Sequence, residues 1–254
     1  MKNILINFFK KNYFLVIVKK IFKRFERNTS EEAKKWAEKN NKQSIDEFFC
    51  SIDAPLYEQV KMEIKVIQEF AKNKLSKLNV SLGGGGNYIL LYFLIRKFKS
   101  LNIVETGVAA GWTSLAILRA IKKNGKGFLY SSDFPYFRLE NPEKYIGYLA
   151  KNDSNEDNWF LDIGGDDMAL PKIVKRLDNN IDLFHYDSDK SYSGRDNALK
   201  ILSSKIDSKT IIIFDDIQNN LHFKDYVQKS KKDFRVYKFE GKYIGITGLE
   251  NLNL

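Results

Sequence analysis

Residues 101–114 read Leu-Asn-Ile-Val-Glu-Thr-Gly-Val-Ala-Ala-Gly-Trp-Thr-Ser. Ile103 and Val104 are β-branched and mark a short buried strand, which Glu105 closes. Gly107 and Gly111 bound a tight turn. From Trp112 the spacing becomes helical, with Leu115, Leu118 and Ile121 on one face. Strand, glycine turn and helix in that order form the unit at which open α/β sheets bind nucleotide-like ligands.

A dinucleotide fingerprint, G-x-G-x-x-G counted from Gly107, needs glycine where this chain has Ala109 and Trp112. A Cβ at 109 hinders backbone approach to a pyrophosphate, and Glu105 has no place in that fingerprint. The run Glu-x-Gly-x-x-x-Gly-aromatic-Thr from Glu105 to Thr113, followed by Ser114, instead resembles motif I of class I S-adenosylmethionine (SAM)-dependent methyltransferases. It is most similar to the catechol and caffeoyl-CoA type and to the macrocin/novobiocin-type O-methyltransferases. The resemblance implies SAM as cofactor, bound around Glu105, Gly107, Gly111, Thr113 and Ser114.

The rest of the chain is consistent with one large domain. Its 254 residues are 43% hydrophobic and 29% charged, as in ordinary soluble proteins. Cys50 is the single cysteine, so no internal disulfide forms and a reducing, cytoplasmic setting is expected. The net charge is +10, and residues 1–30 hold eight Lys/Arg against Glu26 alone, or +7, leaving +3 for the other 224 residues. A nearly neutral catalytic domain argues against a nucleic-acid partner, which calls for a basic track. In residues 3–27, Phe14, Ile17, Val18, Ile21, Phe22 and Phe25 make a helical stripe among lysines and arginines. The uncharged run Tyr13–Val18 is far shorter than the ~20 residues that span a bilayer. Peripheral membrane contact through residues 1–27 and packing on the domain or in a homodimer are both open readings. A domain boundary is placed between an extension, 1–52, and a methyltransferase domain, 53–254.

Asp53 and Pro55 are expected to start a helix whose apolar face runs from Leu56 to Leu78. The tetraglycine Gly83–Gly86 precedes an apolar helix, Tyr88–Phe98, and suits either close approach to a ligand or a plain loop. Strands are expected at 127–132, 159–163, 181–186 and 210–214, with helices at 144–150, 170–177 and 192–202. Two closely spaced strands, 234–239 and 243–247, end the chain. This alternation predicts an α/β, Rossmann-like seven-stranded methyltransferase sheet with an N-terminal helical extension.

Acids stand at the expected carboxyl ends of strands, the ligand edge of such sheets: Glu105, Asp133, Asp187, Asp215 and Asp216. By the family resemblance Asp133 holds the ribose, and Gly165 and Asp166 lie near the adenine. The run from His185 to Tyr192 resembles the Asp-Gly-Asp-His-Ser-Tyr segment of the macrocin/novobiocin type. Asp187 and Asp215 lie 28 residues apart, enough for one crossover to the neighbouring strand. Oxygen ligands suit Mg²⁺ or Mn²⁺, and the resemblance makes Asp187, Asp215 and Asp216 the metal ligands, with Asp187 also beside SAM. Lys190 replaces the family's histidine and matches the Asp-x-x-Lys spacing of the catechol type, so Asp189 and Lys190 are both candidate bases. His185 is read as a core histidine; His222 follows the acids. The reading is a SAM- and metal-dependent O-methyltransferase of a small hydroxylated or phosphate-like acceptor, such as a sugar or surface-polysaccharide precursor. A nicotinamide-dependent oxidoreductase and a non-catalytic binding protein are the rival readings.

Overall fold

The computed structural model describes Phe14, Val18 and residues 26–134, 136, 138–151, 153 and 156–250. The amphipathic pattern read over residues 3–27 lies outside the described residues, apart from Phe14, Val18, Glu26 and Arg27.

Five strands run parallel: β1 (Asn102–Thr106), β2 (Phe128–Ser132), β3 (Trp159–Asp162), β4 (Leu183–Tyr186) and β5 (Ile211–Phe214). β6 (Phe234–Phe239) and β7 (Lys242–Thr247) form a hairpin, and β7 joins β5 antiparallel. The seven-stranded order is β3-β2-β1-β4-β5-β7-β6. Glu240 and Gly241 both have positive φ, the backbone a two-residue hairpin needs for its strands to keep their twist.

Both faces of the sheet are covered, so the central strands are apolar on both sides. On one face Ile103, Leu183, Ile211 and Ile213 pack under α2 (Ile45–Leu75), α3 (Tyr88–Phe98) and α4 (Trp112–Asn124). On the other, Val104, Phe184, Tyr186, Ile212 and Phe214 meet α5 (Asp166–Arg176), α6 (Tyr192–Leu202) and α7 (His222–Ser230). α1 (Ser30–Asn40) closes this second face with Ala37 and Trp36, whose ring stacks on Phe234 at 5.3 Å.

The helix expected from Asp53 begins earlier, at Ile45, where Ser44 and Glu47 form a capping box. Asp53 nevertheless starts a segment of its own. Its φ of −165° kinks α2, and its carboxylate accepts from Leu56 N at 3.0 Å and pairs with Lys97 at 3.0 Å. The boundary expected at 52/53 falls on this kink; Phe48 and Phe49, before it, are buried against Tyr237 and Phe93 at 4.8 and 4.5 Å. α5 starts four residues ahead of the expected Leu170.

Residues 144–150 are not an α-helix. A 3₁₀ turn, Pro142–Tyr145, gives way to turns through Ala150. The reason is tertiary: Gly147 N donates to Ala109 O at 2.8 Å and Leu149 N to Ala110 O at 2.9 Å. Those amides brace the glycine turn instead of closing helical bonds. Among the described residues no helix is long and apolar enough to cross a membrane.

Candidate active site

The carboxyl ends of β1, β2, β4 and β5 share one edge, and two groups of side chains gather there. The first surrounds the glycine turn. Gly107 has φ 84°, and a Cβ on it would run into the carbonyl of Asp187, so β4's exit crosses β1's turn at backbone distance. At Gly111, with φ 92°, a Cβ would sit 2.9 Å from Gly147 Cα. These two glycines are required by the chain's own crossings.

Glu105 is fully buried under the turn. Its carboxylate accepts from Thr113 Oγ1, from Ser114 Oγ at 2.6 Å and from Ser131 Oγ at 2.9 Å. Trp159 Nε1 donates in turn to Ser131 Oγ at 2.9 Å. Thr113 and Ser114 thus fasten the start of α4 to β1 through Glu105, a buried charge stabilised by hydroxyl donors.

Asp133 follows β2, with its carboxylate against the turn: Ala109 N donates to Oδ2 at 2.6 Å and Phe134 N to Oδ1 at 2.5 Å. Gly165 N donates to Asp133 O at 2.9 Å, tying the third crossover to the same place. Asp166, at the start of α5, accepts from Ser132 Oγ and Ser188 Oγ, and burial raises its carboxyl above the usual range. The structure therefore brings Glu105, Gly107, Gly111, Thr113, Ser114, Asp133, Gly165 and Asp166 together around one turn.

The second group lies where β4 and β5 end. His185, Asp187 and Asp215 each offer a ligand atom, all within 4.8 Å of one another. Asp215 is 4% exposed and His185 fully buried. Burial and then Asp215 push the Asp187 carboxyl up to about 6. Burial opposes the charge on His185, but Asp215, Asp187 and Glu105 outweigh it and raise its pKa.

Asp216 is turned differently. It stands at φ 55°, and its carboxylate meets Lys190 Nζ at 3.0 Å, Lys242 Nζ at 3.4 Å and Gln218 Nε2 at 3.1 Å. Despite burial, these partners hold its carboxyl below the ordinary value. Lys190 Nζ also contacts Asp187 Oδ1 and donates to Asp187 O at 2.9 Å. Its ammonium therefore bridges two of the three expected metal ligands. The same acids overcome burial and raise the Lys190 pKa. Asp189 points to the start of α6, where it accepts from Ser191 N at 3.0 Å.

Sequence reasoning missed Arg195. It is fully buried, and its Nη2 donates to Asp215 O at 2.8 Å and Asp216 O at 2.9 Å, with Nη1 on Asn220 Oδ1 at 3.2 Å. It thus sets the backbone that presents both acids. The signal was available: Arg195 shares the buried face of α6 with Ala198 and Leu202, at positions where an apolar residue is the rule. Lys242 and the proximity of His185 to Asp215 depend on strand pairing and left no local signal.

The tetraglycine passes over both groups. A Cβ on Gly85 would sit 2.5 Å from Trp112 Cβ, and one on Gly86 would sit 2.5 Å from Asp215 Oδ2 and 3.2 Å from Asp187 Oδ2.

The family described as a methyltransferase domain matches residues 104–217, from β1 to just beyond β5. Comparison with curated proteins gives no match. Solved structures of similar fold include a Podospora anserina methyltransferase, PaMTH1, bound to S-adenosylhomocysteine (SAH), with TM-score 0.55, 14% identity, and 87% of this chain and 96% of that one covered. A Bacillus cereus O-methyltransferase in complex with SAH has TM-score 0.51 and 16% identity over 80% of this chain and 96% of that one. The Streptomyces achromogenes O-methyltransferase TomG, of tomaymycin synthesis and in complex with SAM, has TM-score 0.51 and 15% identity over 71% and 86%.

Proposed function

We propose metal-assisted O-methylation of a small acceptor for this chain, which carries a class I SAM-dependent methyltransferase domain resembling the caffeoyl-CoA and catechol O-methyltransferases. The observation that carries the reading is Lys190 Nζ lying between Asp187 and Asp216 and near Asp215, while Asp187 abuts the glycine turn that Asp133 meets from the end of β2. A carboxylate at the end of β2 suits the two ribose hydroxyls of SAM. Glu105 acts as a positioning residue, fixing Thr113, Ser114 and hence the turn. Gly165 and Asp166 border the adenine side.

The transfer forms an acceptor O–CH₃ bond, breaks the S–CH₃ bond of SAM and leaves SAH and a proton. A divalent cation, which the acid cluster around Asp187 and Asp215 would hold, would supply positive charge for acceptor oxygens and favour their ionised form. The buried, orphaned oxygen and nitrogens of Asp215 and His185 fit such an ion. Lys190 Nζ takes the acceptor proton. Asp187 and Asp216 keep it protonated at rest, so Lys190 first releases a proton to solvent before it can act as base, and a bound cation beside Asp187 would weaken the hold on that proton. Asp189, at the head of α6, keeps the loop that carries Lys190 in place.

The test offers SAM with a panel of catechols and vicinal diols and measures SAH formation. Lys190→Met should lower the rate about 10²–10⁴-fold at unchanged SAM affinity, as expected for loss of a general base, and Asp189→Asn should lower it less. If Asp189→Asn is the more damaging change, the base is Asp189.

A further inference from the structure

The acid cluster poses a ligand question of its own. His185 is fully buried, yet among the described residues neither ring nitrogen has a hydrogen-bond partner, and Asp215 Oδ1 also lacks one. His185 Nε2 stands 3.6 Å from Asp215 Oδ1, within ion-pair range but too far for a hydrogen bond. Leaving such groups unsatisfied in the interior is costly, and a bound ion is one of the few physical ways to satisfy them.

β pairing puts His185 there. It sits opposite Glu105 on β1 and Ile213 on β5, and two residues further along the same face come Asp187 and Asp215. Both Asp Oδ2 atoms lie close to the point where a Gly86 Cβ would project, so they face a common space, while Lys190 occupies Oδ1 of Asp187. Asp216 does not join them: its carboxylate is engaged by Lys190, Lys242 and Gln218.

We propose that the cation is held by His185, Asp187 and Asp215, with His185 rather than Asp216 as third protein ligand. This rests on the metal-assisted reading above. One imidazole nitrogen among carboxylate oxygens changes the ion class. An all-oxygen set accepts Mg²⁺ and Mn²⁺ alike, whereas one imidazole nitrogen favours the transition-series ion over Mg²⁺. The site therefore selects Mn²⁺ over Mg²⁺, and Asp216 serves as the counter-charge that steadies Lys190.

The experiment is pulsed electron paramagnetic resonance on the full-length protein loaded with one equivalent of Mn²⁺. Coupling to a ¹⁴N nucleus is expected in the wild type, and its absence overturns the proposal without any variant being needed. Calorimetric titration adds the comparison. His185→Leu should weaken Mn²⁺ binding about tenfold or more and flatten the preference over Mg²⁺, whereas Asp216→Asn should leave Mn²⁺ affinity within about threefold. The opposite ranking, or failure of the wild type to bind Mn²⁺, overturns it. SAM binding to metal-free protein is measured in parallel. Loss of that signal would strike the methyltransferase reading, and loss of the nitrogen coupling would strike only the ligand assignment.

Discussion

At residue scale, the glycine turn depends on absent side chains. Gly107 combines positive φ with a crossing backbone, so Gly107→Ala meets steric overlap and an unfavourable dihedral together. It is expected to destabilise by about 2–4 kcal/mol, read from urea denaturation. A midpoint equal to wild type would mean that β4's exit is not pinned to the turn. His222 offers a pH test. It is buried among Tyr192, Phe214 and Tyr226, and burial, then Arg195, pushes its pKa down to about 4 from 6.5. The unfolded chain binds this proton more readily than the fold does. The stabilisation from a neutral His222 is therefore complete above about pH 6.5 and is lost as pH falls toward 4. In His222→Phe, the decline in stability across that window should be shallower, by on the order of 2 kcal/mol. Equal slopes in wild type and variant would remove His222 from the acid sensitivity.

At the scale of elements, α2 tests how a cap works inside a helix. Asp53 closes Leu56 N and pairs with Lys97, both partly buried. Asp53→Ala should cost about 1–2 kcal/mol and increase amide exchange around residue 56, whereas Asp53→Asn should keep most of the cap. A loss as large in Asn as in Ala would shift the credit to the ion pair. Elements with a local cause were readable in the sequence: the β-branched strands, the glycine turn, the Asp53 cap and the Glu240-Gly241 hairpin. Residues 144–150 carried a helical pattern, but Gly147 and Leu149 give their amides to the turn at 109–110, a long-range choice that no window of sequence displays. The acids of the site were legible as strand ends. Their partition was not, because Asp215 meeting His185 and Asp216 meeting Lys190 and Lys242 follow from β4–β5 and β5–β7 pairing.

At the scale of the whole molecule, residues 26–32 tie to the starts of α6 and α7. Glu26 accepts from Tyr192 N at 2.8 Å and Ser193 N at 3.1 Å, which places its carboxylate at the positive end of α6. Leu221 N donates to Thr29 Oγ1 at 3.2 Å, and Lys224 meets Glu32 at 2.8 Å. Deleting residues 1–25 should therefore leave a folded protein with wild-type SAM affinity. Deleting 1–27 should cost about 1 kcal/mol more through the lost helix-end charge. Insoluble protein after the shorter deletion would mean that residues 1–25 cover core surface or a subunit interface.

Under the proposed function, in which the acids hold the acceptor, the tetraglycine bears on what fits there. Gly86 runs so near Asp215 and Asp187 that at this point bare main chain stands over these acids. Main chain has no rotamers with which to resize itself. The clearance above the acids is therefore set by the path of the peptide between Leu82 and Asn87, and a narrower or wider acceptor is selected by changing that path. On that reading, the length of the loop between Leu82 and Asn87 tunes acceptor size in this protein more readily than the exchange of one side chain for another.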